Sequence, residues 1–144
     1  MSQTSQTSTQ EKPFAIHERW GDLSEVGFTA VPNTLIHAQA RLNLSANQVV
    51  ILLNLLMHWW RPNSNPFPRS HSIAKRTGMG IRTIQRELRA LEQANLIKKV
   101  KRGDSTQYEM QGLKAALDDL NSEYAWRNLS KINGQRDAKA EIPF

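Results

Sequence analysis

From residue 45 onwards, apolar residues recur three and four positions apart, the spacing of helices that each bury one face. Ser45-Ala-Asn-Gln48 matches a capping box and opens a helix over 46–60. Val49, Leu52, Leu53, Leu56 and Trp60 are its expected core stripe. Residues 61–68 hold three prolines and two asparagines, which ends that helix. Ser70 is placed to cap a helix over 71–77, and Gly78-Met79-Gly80 supplies a turn in which either glycine can take positive φ. The next helix, 81–94, has an inward stripe of Ile81, Ile84, Leu88 and Leu91. Asn95 stands where a left-handed residue is wanted after it. Strands over 96–101 and 107–110 then flank the tip Arg102-Gly-Asp-Ser105.

The flanks are weaker. Pro32 suits the start of a short helix over 33–41. Leu113, Ala116, Leu117, Leu120 and Tyr124 fall on one side of a last helix, 113 to about 127. Residues 13–31 show no period and are expected to form an irregular lead-in that packs Phe14, Trp20 and Phe28 onto the domain. Residues 1–12, rich in Ser, Thr and Gln, are expected to be a disordered arm, and 131–144 a loose polar tail. One domain, 13–130, lies between them. Its fold class is mainly α with a small β-hairpin, α+β.

Charge changes this picture. The chain carries 19 Lys/Arg and 13 Asp/Glu, a net of +6. Of these, 10 basic and 2 acidic residues lie between Arg69 and Arg102, which leaves 9 basic and 11 acidic elsewhere. The basicity is therefore concentrated on one helix, a turn and a hairpin, and points to a polyanion. At about 100° per residue, the side of helix 81–94 opposite its apolar stripe carries Arg82, Arg86, Arg89 and Gln93, flanked by Thr83, Gln85 and Ala90. Glu87 and Glu92 are expected to lie off that face. Arg suits a bidentate contact to guanine and Gln to adenine. Residues near the start of a recognition helix meet bases, so Arg82, Thr83, Gln85 and Arg86 are the candidates for base readout. Arg89 and the hairpin residues Lys98, Lys99, Lys101 and Arg102 are candidates for the DNA backbone. Arg69, Ser70, His71 and Lys75 join them, near a helix start whose free N–H groups attract anions.

Ala74, Gly78 and Ile84 stand where helix-turn-helix proteins place a small residue, a glycine and a branched apolar residue. With RTIQRELRALEQANLIKKVKR, they resemble the winged-helix DNA-binding domains of bacterial regulators and of plasmid or phage replication initiators. The resemblance covers about residues 31–120 and implies a winged helix-turn-helix with an added C-terminal helix. Two departures appear. Gly80 replaces the usual Ser/Thr cap before the recognition helix, and Asn95 replaces the usual Gly.

No catalytic residues emerge, and no cofactor is expected. The four histidines, His17, His37, His58 and His71, show no metal-ligand spacing, and there is no cysteine to assist them, so no metal site is expected. The absence of cysteine fits a reducing cytosol, and Met1–Gln10 lacks the pattern of a secretory leader, so a cytoplasmic location is expected. The longest apolar run is too short to span a bilayer, and no membrane partner is expected. Helix 46–60 has apolar residues on more than one side. Val50, Leu55 and Trp59, with Leu117, Leu120 and Tyr124 of the last helix, are the candidate surface of a homodimer. The expected function is non-enzymatic, sequence-specific binding of double-stranded DNA by a small transcriptional regulator. Control of plasmid or phage replication at origin repeats, with a protein partner on the C-terminal helix, is one alternative. A winged-helix protein-interaction adaptor is another.

Overall fold

Residues 15–132, those that the computed structural model describes, with side chains as far as Glu123, form α1 (Ile16–Trp20), α2 (Leu23–Val26), α3 (Asn33–His37), α4 (Ala46–Leu56), α5 (Ser70–Thr77), α6 (Ile81–Gln93), β1 (Lys98–Arg102), β2 (Ser105–Glu109) and α7 (Gln111–Ile132). The expected arm 1–12, Phe14, the side chain of Tyr124 and most of the tail lie outside the described residues. Helices α4, α5 and α6 pack around Ile51, Leu52, Leu55, Ile73, Ile84 and Leu91, and the hairpin and α7 close that core with Tyr108, Met110, Leu113 and Leu117.

The capping box at α4 forms as expected. Ser45 Oγ accepts from the Gln48 N–H at 3.1 Å, and Gln48 Oε1 accepts from the Ser45 N–H at 3.0 Å. The buried face of α4 differs from the expected stripe. Ile51 and Leu55 are fully buried beside Leu52 and Leu56, while Leu53 and Trp60 are exposed. A helix that is apolar nearly all round carries no phase in its sequence, so which side turns inward is set by its neighbours.

Arg69, not Ser70, occupies the cap position of α5, and no side chain caps that end. At its other end Gly78 takes φ 75 and its N–H reaches the Ala74 carbonyl at 2.9 Å. The Thr77 hydroxyl donates to the Ile73 carbonyl at 2.7 Å and accepts from the Met79 N–H at 3.2 Å, which braces the turn. Gly80 enters α6 from an extended conformation. Of the expected α6 stripe, Ile84, Leu88 and Leu91 are buried, but Ile81 is 43 % exposed. Side chains lean toward the helix N-terminus, so a first-turn residue overhangs the turn rather than the core.

Asn95 ends α6 at φ 60, donating to the Glu92 carbonyl at 2.9 Å while the Leu96 N–H reaches the Leu91 carbonyl at 3.1 Å. This pair of bonds is a Schellman motif, and it turns Leu96 and Ile97 into the core. Asn95→Ala is expected to lower stability by about 1 kcal/mol, because a Cβ-bearing residue without Asn's local hydrogen bonding pays the left-handed penalty in full. Asn95→Gly is expected to match or exceed the parent in urea denaturation.

The strands start two residues later and two earlier than expected, so the hairpin tip shortens to Gly103-Asp104, with Gly103 at φ 60. The register pairs Lys98 with Glu109, Lys99 with Tyr108, Val100 with Gln107, Lys101 with Thr106 and Arg102 with Ser105. The Tyr108 N–H also bonds the Pro66 carbonyl at 2.9 Å, which ties the proline-rich loop to the hairpin. At the opposite side α7 holds α3 through a Thr34–Asn121 hydrogen bond of 3.1 Å, and the segment after α3 through an Arg41–Glu123 ion pair. The lead-in does not pack as expected. Helices α1 and α2 contain no buried residue, and Trp20 and Phe28 are exposed.

Candidate nucleic-acid interface

Helix α6 presents Arg82, Gln85, Arg86, Arg89 and Gln93 to solvent along one side, with Thr83 half-buried at its edge. That face arises because Ile84, Leu88 and Leu91 anchor the opposite side in the core. The helix is therefore held rigidly while its long donors remain free to reach outward. Arg86 lies 3.6 Å from Glu87, whose side chain is mostly covered. The pair is long and its guanidinium remains 67 % exposed, so Arg86 can leave it for a stronger acceptor.

Between α6 and the hairpin lies a cleft of about 830 Å³. Gln85, Leu88, Arg89 and Glu92 form its helix wall, Lys99, Asp104, Ser105, Thr106 and Tyr108 its hairpin wall, and Phe67, Pro68, Arg69 and Ser70 complete its lining. Five of the residues expected to meet DNA thus converge here: Arg69, Ser70, Gln85, Arg89 and Lys99. Arg82, Thr83 and Arg86 share the α6 face but lie outside the cleft, as do His71, Lys75, Lys98, Lys101 and Arg102. The hairpin divides its cations by strand alternation. Lys99 and Lys101 share a face with Thr106 and Tyr108, whereas Lys98 and Arg102 lie on the other, where Lys98 stands opposite Glu109.

Glu92 lies on the cleft wall of α6 with Gln85 and Leu88, and lines the cleft with Asp104. Burial, and then the charge of Glu92, push the Tyr108 hydroxyl above its ordinary pKa. The cleft is therefore mixed in charge, with Arg69, Arg89 and Lys99 against two carboxylates. Arg76, counted in the basic segment, is directed elsewhere. It donates to Asn54 Oδ1 at 3.2 Å and approaches His58 Nε2 at 3.4 Å, docking α5 on α4. Partial burial and then the Arg76 charge hold His58 below its ordinary pKa.

The arrangement of α4, α5 and α6, a glycine turn and a basic hairpin can be compared with known proteins. The model of the family described as "Helix-turn-helix domain" matches residues 42–97, the span of α4 to the start of the hairpin. The crystal structure of the N-terminal domain of DnaD protein from Geobacillus kaustophilus HTA426 is similar in fold, with a TM-score of 0.53 at 20 % identity. The match covers 77 % of this chain and 96 % of that one. The fold is a winged helix-turn-helix. No curated protein matches it.

In this fold, α6 is the second helix of the helix-turn-helix and β1–β2 is the wing. The family match supports DNA as the domain's partner. Among the described residues no helix is long and apolar enough to cross a membrane. Two of the residues expected at a dimer surface are corrected: Leu55, 0 % exposed, and Leu117, 8 % exposed, are part of the chain's own core. Trp59 and Leu120 are half-buried against that core, which leaves Val50, at 38 % exposed, on the surface. His17, Asp22 and Glu25 bring donor atoms within 4.8 Å of one another, a grouping across α1 and α2 that the spacing of the histidines alone did not reveal. All three are exposed, and nothing around them marks a metal centre. The cleft residues Phe67, Asp104, Thr106 and Tyr108 were also missed, because only the fold of the proline-rich loop against the wing brings them to α6.

Proposed function

We propose that this protein binds double-stranded DNA in a sequence-specific manner as a small, non-enzymatic transcriptional regulator. The observation that carries this reading is the one-sided α6: three arginines and two glutamines exposed on a helix fixed by three buried aliphatic residues. A helix of this width fits the major groove, where Arg82, Thr83, Gln85 and Arg86 would meet base edges. Arg89, Arg69, Ser70 and Lys99 would hold the flanking backbone from the cleft side, with Lys101 and Arg102 extending the contact along the wing. His71 and Lys75, exposed on α5, would add phosphate contacts at the other margin.

One recognition helix reads few bases, and a homodimer on a two-fold site would double that number. With Leu55 and Leu117 in the core, a surface for a second copy is the apolar groove that Phe28, Met57 and Trp60 line, with Val50 further along α4. A second reading, control of plasmid or phage replication at origin repeats, draws on α7. That helix runs five residues beyond its expected end, to Ile132, and its length supports a protein partner in this reading.

Selection of genomic fragments by the purified protein separates these readings. Promoter fragments carrying a pseudo-palindrome support the regulator and its dimer, and iterated repeats support the initiator. In the same system, affinity for a recovered fragment is expected to fall steeply between about 50 and 200 mM salt, by about 10³-fold for six phosphate contacts. An affinity indifferent to salt rules out the phosphate contacts and leaves the protein-interaction adaptor.

A further inference from the structure

The cleft between recognition helix and wing contains two features that duplex backbone contact does not use. One is Phe67, an aromatic ring 58 % exposed that lines the cleft. Its position is fixed on both sides. Pro66 before it is fully buried and accepts from the Tyr108 N–H at 2.9 Å, and Pro68 after it restricts the backbone again. An exposed ring on a Pro-Phe-Pro segment held in this way is a ready stacking surface, since little entropy is lost when a base settles on it. The second feature is the pair of carboxylates, Glu92 and Asp104, facing the same space as Arg69, Arg89 and Lys99. Carboxylates repel phosphate, but they accept hydrogen bonds from the amino edges of bases. Gln85 and Thr106 add two further groups that can pair with a base edge.

We propose that this cleft receives one unpaired nucleotide of a DNA strand. Its base stacks on Phe67 and donates to Glu92 or Asp104, and its phosphates lie against Arg69, Arg89 and Lys99. A cleft of about 830 Å³ takes a nucleotide, and a base stacked within a duplex has no free face for Phe67, so the ring is used only where a base has left the helix. The proposal rests on the DNA-binding reading above and adds to it a preference for locally opened DNA.

The test compares two labelled probes by fluorescence anisotropy at low salt: a 20-base-pair duplex, and the same duplex carrying one unpaired cytosine. The full chain is expected to bind the second probe about 5- to 150-fold tighter, the range that base–aromatic stacking supplies. Phe67→Ala is expected to remove that difference and leave duplex affinity unchanged, while Phe67→Trp retains it. Circular dichroism confirms that each variant folds, as an exposed ring allows. Equal affinity of the parent for both probes overturns the proposal while the duplex-binding reading stands. An unaltered difference in Phe67→Ala also overturns it. Failure to bind either probe removes both.

Discussion

Gly112→Ala is expected to melt roughly 10 °C below the parent, a loss of about 3 kcal/mol. An exposed helix glycine replaced by alanine ordinarily gains about 1 kcal/mol from helix propensity, so the sign here depends on space. A Cβ at Gly112 would sit 2.0 Å from the Asn95 carbonyl oxygen, and 3.1 Å from the carbonyl carbon of Leu96. The obstacle is main chain, and it is main chain that cannot yield. Asn95 and Leu96 form the Schellman motif that ends α6, and Leu96 and Ile97 are buried beyond it. On the other side, Leu113 plants the first turn of α7 in the core. Relief requires either that motif or the docking of α7 to shift. Gly80→Ala is the control: its Cβ would meet nothing nearer than Thr83 Oγ1 at 4.0 Å, and a change within about 1 kcal/mol is expected. Thermal melts of the three proteins decide it, and a Gly112→Ala protein as stable as the parent removes the close approach of α7 from the account of this fold.

The same glycine shows where sequence reasoning stops. Nothing local distinguishes Gly112 from a glycine that merely weakens a helix start, because the atom it must avoid lies 17 residues earlier. Helix α6 was legible for the opposite reason. Its charges occupy one side and its aliphatic residues the other, so periodicity alone fixed which face is buried, and only Ile81 at the first turn escaped. Helix α4 has leucine, isoleucine and valine on nearly every side, so its pattern predicts a helix but not a direction. That ambiguity moved Leu55 from an expected dimer surface into the core. The turn residues behaved as their chemistry requires: Gly78, Asn95 and Gly103 all take positive φ. The cleft was not legible, since it is assembled from the loop before α5, the outer wall of α6 and the wing, which meet only in three dimensions.

Exchange of the two leading arginines of α6 is expected to cost more than any other change to DNA binding, and to cost it selectively. Arg82 and Arg86 are one turn apart at the start of the recognition helix, both exposed and both outside the cleft. Each bidentate arginine–guanine pair is worth about 1–3 kcal/mol of discrimination against the wrong base. Arg86→Ala alone is therefore expected to relax preference at one position of a selected site by about 5- to 150-fold. In the double variant, Arg82→Ala with Arg86→Ala, the two losses fall on different base pairs and are expected to add, because neither side chain bonds the other. Freeing the mostly covered Glu87 from Arg86 acts on folding stability rather than on base preference, and thermal melts of the variants measure it separately. Lys101→Ala on the wing supplies the contrast. It is expected to weaken selected and random duplexes alike and to reduce the salt slope by about 1. Competition binding of a selected duplex against its point variants measures both quantities at once. If the folded double variant keeps the parent's preference among those duplexes, base readout does not belong to the start of α6, and the specificity must come from DNA shape or from the cleft.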